Sequence, residues 1–194
     1  MPWFRSLRER RLWIAFVGAV VVLLAALYPL QFVLDALRTR NLLRFAIGGV
    51  FLSAAILAAV ALARRRAPLR AWLVLTLFVT VYAGLALAME VPQERLHLVE
   101  YGALVLLGRA ALAESAAVRA LSGRVSSVDV WALGAATAIG WLDEAIQGIL
   151  PNRIYDLRDV AFNALAAALA LGFAAVLRKV MRTSPGCGKE PAER

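Results

Sequence analysis

A single cysteine, Cys187, stands among 194 residues. The chain cannot form an internal disulfide, and no CxxC or zinc-type spacing occurs. His97 is the only histidine, and neither an HExxH helix, a phosphatase-type histidine pair nor a nucleophile elbow is present. The apolar stretches do not alternate with polar residues, which argues against the strands of an outer-membrane barrel. The first half does not repeat the polar motifs of the second, so an inverted-repeat transporter is unsupported.

What is present is apolar. Hydrophobic residues make up 62% of the chain, against roughly 45–50% in an average soluble domain. Several runs are ~18–22 residues long, enough to cross a hydrocarbon core of ~30 Å as a helix. The expected fold class is therefore an all-α integral membrane protein, a bundle of about six transmembrane helices with N- and C-termini cytoplasmic. The spans fall at 12–30, 42–63, 71–89, 96–113, 128–150 and 157–177, with a helical tail at 31–37 and a partly helical connection at 114–127. The first run is too long for a secretory h-region, no small-x-small site follows it, and it reads as a retained span. Four segments result: a basic N-terminus (1–11), three apolar spans (12–89), a more polar three-span region (90–177) and a disordered tail (178–194). Gly48, Gly49, Ser53 and Ala54 give the second span a small-residue face suited to close helix packing.

The net charge of +9 is no nucleic-acid signature, because the basic residues cluster at the ends of apolar runs. With the N-terminus inside, 16 of the 22 Lys and Arg residues fall on inner segments, a positive-inside distribution. Eight of the 13 acids fall outside. The Arg64–Arg66 triplet reads as an orientation signal.

Polar residues at membrane depth are costly and need a reason to be there. Three span ends meet on the outer side. The fourth span begins with Glu94, His97 and Tyr101 at i, i+3, i+7, with Glu100 a turn inside. The fifth ends with Asp143, Glu144 and Gln147. The sixth begins with Asp156, Asp159 and Asn163, again at i, i+3, i+7. Each set forms one stripe of its helix, and such stripes avoid lipid by facing one another or a wet cavity. Pro151 ends the fifth span, and Arg153 lies in the loop that follows. These are the ligand-binding candidates.

Their chemistry admits several readings. Crowded carboxylates in low dielectric suit acid/base work, with Glu144, Asp159 and His97 as the catalytic candidates. They equally suit ion pairing with Arg95, Arg153 and Arg158 that fixes how the spans meet. Arg153 is either an anion clamp or an acid-paired arginine. His97 with Glu94, Glu144 or Asp159 offers metal-ligand types, but no metal-binding spacing supports a site, and none is assigned. No cofactor is indicated.

The pattern Asp143-Glu144-x-x-Gln147, Pro151-x-Arg153, Asp156-x-x-Asp159-x-x-x-Asn163 resembles the signature of VanZ-like membrane proteins, and His97-x-x-x-Tyr101 matches an earlier motif of that family. The resemblance covers about residues 92–172. Where the family places an Asp-Lys pair before the histidine, this chain has Gln93 and Glu94. The resemblance implies a bacterial inner-membrane protein of a family named for a member associated with teicoplanin resistance. It carries no agreed mechanism. Three functions are compatible with the residues. The first is an outer-facing acidic pocket binding an envelope lipid, a lipid-linked precursor or an amphiphilic antibiotic. The others are a hydrolase or transferase acting on lipid-linked phosphate, and a small transporter. The expected partners are membrane lipid and a small amphiphile, not nucleic acid.

Overall fold

A computed structural model describes residues 4, 6–89, 91–115, 125–151 and 155–183. Six helices and no strand occur among the described residues: α1 (Leu7–Thr39), α2 (Leu43–Arg64), α3 (Leu69–Ala88), α4 (Arg95–Glu114), α5 (Val125–Gln147) and α6 (Leu157–Arg182). Helices α1 to α4 and α6 are each long and apolar enough to cross a bilayer. The 23 residues of α5 give it the length, but it also carries Asp129, Asp143 and Glu144. The chain is a multi-pass helical membrane protein. Large apolar side chains stand fully outward, among them Val22 on α1, Leu57 on α2 and Leu73 on α3.

The ends of the helices alternate. Arg8 at the start of α1 pairs with Glu114 at the end of α4, at 3.2 Å. Leu34, near the other end of α1, packs with Leu43 at the start of α2, and Leu96 at the start of α4 leans on the same cluster. Leu62 at the end of α2 meets Ala71 at the start of α3 and Leu177 near the end of α6. One end of the bundle therefore collects Arg8, Arg64–Arg66, Arg109 and Arg178, with Glu114 and Asp129 among them, and the other collects Glu94, Glu100, Asp143, Glu144, Asp156 and Asp159.

Helices α4, α5 and α6 form the centre. Small residues let them approach: Ala132 and Ala136 of α5 and Ala167 and Ala170 of α6 are buried against Val105 of α4, the close packing that substitutes for hydrophobic drive in lipid. A second cluster joins Tyr82 and Ala86 of α3 to Leu98, Tyr101 and Leu104 of α4, with Phe16 of α1 leaning on it. The Tyr82 hydroxyl donates to the Ala166 carbonyl oxygen at 2.7 Å, tying α3 to α6. At Gly108 of α4 a Cβ would stand 2.8 Å from Phe16 Cε2, so the missing side chain is what admits α1.

Several boundaries differ from the sequence reading. Helix α1 runs unbroken through Pro29 to Thr39. The stretch at 31–37 belongs to it because Leu34 is buried against Leu43 and Ile47 rather than lying along the interface. Helix α5 stops at Gln147, and tighter turns with Ile149 donating to Ile146 and Leu150 to Gln147 follow. Helix α6 continues to Arg182, so the first five residues read as tail are helical; residues 184–194 lie outside the described residues. The small-residue face of α2 does not mediate close packing within the chain: a Cβ on Gly48 or Gly49 would meet nothing within 4 Å.

Helices α1 and α2 terminate alike. Asn41 and Arg66 take positive φ of 56° and 48°. In each case the next amide donates back five residues, Leu42 to Leu37 and Ala67 to Leu62, the Schellman closure that satisfies the last carbonyls.

Candidate functional site

Gly140, Asp143, Glu144 and Gln147 recur at i, i+3, i+4, i+7 and share the face of α5 turned to α4 and α6. Asp143 and Glu144 have no exposed surface, and Gln147 has 5%. Burying a carboxylate costs several kcal/mol unless it is paired and hydrogen-bonded. The donors here are mostly neutral. The Tyr101 hydroxyl donates to Asp143 Oδ2 at 2.7 Å. The Gln147 amide donates to Asp143 Oδ1 at 3.1 Å and to Glu144 Oε1 at 3.2 Å. The backbone N–H of Asp156 donates to Glu144 Oε2 at 3.3 Å, fixing the start of α6 against the end of α5. Among the described residues, no arginine lies within ion-pair distance of either acid. Arg95 instead donates to the Met89 carbonyl oxygen at 2.9 Å, and the Arg158 backbone N–H donates to Asp156 Oδ1 at 2.8 Å. Ion pairing with Arg95 and Arg158 therefore does not hold these two acids. Arg153 lies outside the described residues.

His97 projects from the first turn of α4 towards the same group. Its Nδ1 is 3.6 Å from Glu100 Oε2 and 3.9 Å from Asp143 Oδ2. It is buried and makes no hydrogen bond.

A cavity of about 710 Å³ opens beside these groups. Its polar end is lined by Glu94, His97, Glu100, Asp143, Asp156 and Asp159. Its apolar wall comes from Ala19, Leu23, Leu27 and Leu30 of α1 with Leu104 and Leu107 of α4. Burial pushes the Glu94 carboxyl above its ordinary range, and the Asp159 carboxylate adds to that rise. Asp156 caps α6 and Asp159 sits in its first turn, where carboxylates complement the helix dipole.

The sequence-predicted residues thus divide. Glu94, His97, Asp143, Gln147, Asp156 and Asp159 line the cavity. Tyr101 and Glu144 lie behind its wall as buried supports. Asn163 stands one turn further along α6 from Asp159, deeper in the bundle. It is fully buried, and a Cβ on Gly140 would lie 3.0 Å from its Cβ and 3.3 Å from Tyr101 Cε1. Neither Asn163 Oδ1 nor Nδ2 has a hydrogen-bond partner. Trp141 is 55% exposed and stands away from the site.

Two contributions escaped the sequence reading. One is the α1 wall, whose residues are indistinguishable from lipid-facing ones. The other is a polar lock at the opposite end, where Asp129 of α5 accepts from Arg109 of α4 and also lies 3.6 Å from Arg178 of α6. Asp129 is 14 residues before Asp143, close to four helical turns, so it faces the same seam. That interval was the available signal.

No protein-family model matches the chain, and neither a curated protein nor a solved structure is significantly similar to it.

Proposed function

We propose that the protein is a bacterial inner-membrane protein of VanZ-like type that binds an amphiphile: an envelope lipid, a lipid-linked precursor or an amphiphilic antibiotic. The head group lies among the carboxylates and the tail along the cleft between α1 and α4. The basic end of the bundle, with both termini, faces the cytoplasm, as the Lys and Arg distribution favours. The acidic end then meets the outer leaflet, where lipid-linked wall precursors and glycopeptide-type agents are encountered. The observation that carries this reading is the cavity itself, which joins six polar groups to a continuous apolar wall in one volume.

The test is native mass spectrometry of the detergent-purified protein offered a polyprenyl phosphate, an anionic phospholipid or teicoplanin. Retention of one of them, lost in Ala26→Trp, which fills the α1 wall of the cavity, and weakened in Asp159→Ala, supports the reading. Equal retention by both variants and the parent counts against it.

A second reading, a hydrolase or transferase acting on lipid-linked phosphate, draws on His97 lying beside two buried carboxylates. It predicts turnover of a polyprenyl phosphate or diphosphate that is abolished in Glu144→Gln.

A further inference from the structure

The sequence offers no metal-binding spacing, because the relevant residues lie on two helices and far apart in the chain. Folding brings them together. Ligand atoms of His97, Asp143 and Glu144 all lie within 4.8 Å of one another. Two ligands on one ion at bonds of ~2.0–2.2 Å stand ~3–4 Å apart, so closing this set on a cation needs a contraction of only about an ångström. We propose that His97 Nδ1 and the carboxylates of Asp143 and Glu144 form a site for a divalent first-row metal ion, Zn²⁺ by preference, with Mn²⁺ as a substitute.

Four features support the site. The first is the histidine. Were Nδ1 to carry a proton and donate it to a carboxylate, an acceptor would stand near 3 Å. The nearest acidic oxygens, of Glu100 and Asp143, stand at 3.6 and 3.9 Å, and Nδ1 is buried without a hydrogen-bond partner. An imidazole nitrogen held beyond hydrogen-bond distance of the carboxylates it faces leaves room for an ion that it can ligate.

The second is charge. Asp143 and Glu144 are adjacent and fully buried, and no described arginine neutralises them. A divalent cation balances both.

The third is support behind the ligands. Metal-binding carboxylates are themselves held by hydrogen bonds, which fix their orientation. Tyr101, Gln147 and the Asp156 N–H supply these bonds here.

The fourth is independent of the acids. Asn163 is fully buried with both amide atoms unpartnered, at a cost of ~1–3 kcal/mol for a buried group left unsatisfied. It occupies the same α4–α5–α6 seam one turn beneath Asp143, against Gly140 and Tyr101. Its Oδ1 is a further oxygen donor in that seam.

Mixed nitrogen and oxygen donors favour Zn²⁺ or Mn²⁺ over Ca²⁺ and Mg²⁺, which take oxygen sets. The site does not depend on what fills the apolar cleft, so it can fail or hold separately from amphiphile binding.

The experiment uses the full chain in detergent, stripped with EDTA and then loaded separately with Zn²⁺, Mn²⁺, Ca²⁺ or Mg²⁺ before desalting. Elemental analysis should find one Zn²⁺ or Mn²⁺ per chain, with little Ca²⁺ or Mg²⁺ retained. The Zn²⁺ form should melt higher than the stripped protein, because a ligand that binds only the folded state stabilises it. The electron-spin-echo spectrum of the Mn²⁺ form should show coupling to one nitrogen, absent in His97→Gln. Glu144→Gln should lower metal affinity about ten-fold or more, and Asp129→Asn, at the far end, should leave it unchanged. No metal retained by the parent protein overturns the proposal even if the variants do not fold. Equal retention of Ca²⁺, or a nitrogen signal that survives in His97→Gln, overturns it as well.

Discussion

Tyr101 donates its hydroxyl hydrogen to Asp143 Oδ2 at 2.7 Å, and neither residue has any exposed surface. A phenol on α4 thus satisfies a carboxylate on α5 in a place that water does not reach. Tyr101→Phe keeps the ring and removes the donor. The expected loss is ~1.5–3 kcal/mol, the usual worth of a hydrogen bond to a charged group. Thermal melting in detergent measures it, and an unchanged midpoint would mean that Asp143 does not rely on this bond.

Glycines on two helices should respond in opposite directions. A Cβ at Gly140 would stand 3.0 Å from the Cβ of Asn163, which is fully buried and has no room to retreat. Gly140→Ala should cost ~1–3 kcal/mol through overpacking. Gly48→Ala meets nothing within 4 Å and lies inside α2, so better helix propensity should raise stability by up to ~1 kcal/mol. The pair is read in one melting series, and loss in both would contradict the packing described for α2.

Asp129 bridges Arg109 and Arg178 at the basic end. Asp129→Asn leaves two arginines facing each other without the acid between them. Because these groups are partly exposed, the expected cost is a modest ~1 kcal/mol or so. The site, ~20 Å away along α5 at ~1.5 Å per residue, should bind its ligands as before. An altered affinity at the acidic end would show that the two ends are coupled.

Glu94 titrates in an unfavourable setting, since burial raises its pKa and the Asp159 carboxylate raises it further. For an acid whose folded pKa is raised, ionisation is costlier in the folded than in the unfolded state. The penalty is absent below the ordinary value of ~4.3 and grows as pH rises through the folded pKa. Glu94→Gln should therefore melt slightly higher than the parent at neutral pH and equally at pH ~4. A variant that melts lower at neutral pH would show that the Glu94 carboxylate stabilises the fold.

The convergence of three helix ends was legible in the sequence because polar groups in an apolar chain have few places to go. Periodicity placed Asp143 with Gln147, and the two are hydrogen-bonded. Helical spacing fixes relative angle within a helix but not the rotation of one helix against the next. The stripe of Asp159 and Asn163 was therefore legible, but not that its deeper member, Asn163, packs against Gly140 of α5. The α1 wall was illegible for a related reason: a helix that is apolar all round has no stripe to reveal which side meets the protein. The grouping of His97 with Asp143 and Glu144 joins residues more than 40 positions apart, beyond the reach of any local motif.

The distribution of acids on α5 bears on how the chain reaches the bilayer. An aspartate at the centre of an isolated span costs ~2.5–3.5 kcal/mol on insertion scales, less towards the ends. Helix α5 carries Asp129, Asp143 and Glu144, and the partners described for them stand on α4, on α6 or within α5 itself. It is therefore a poor passenger when it leaves the translocon alone. Its biogenesis has to be cooperative, with α4 already waiting in the membrane and α6 following closely enough to close the seam before α5 slips back out.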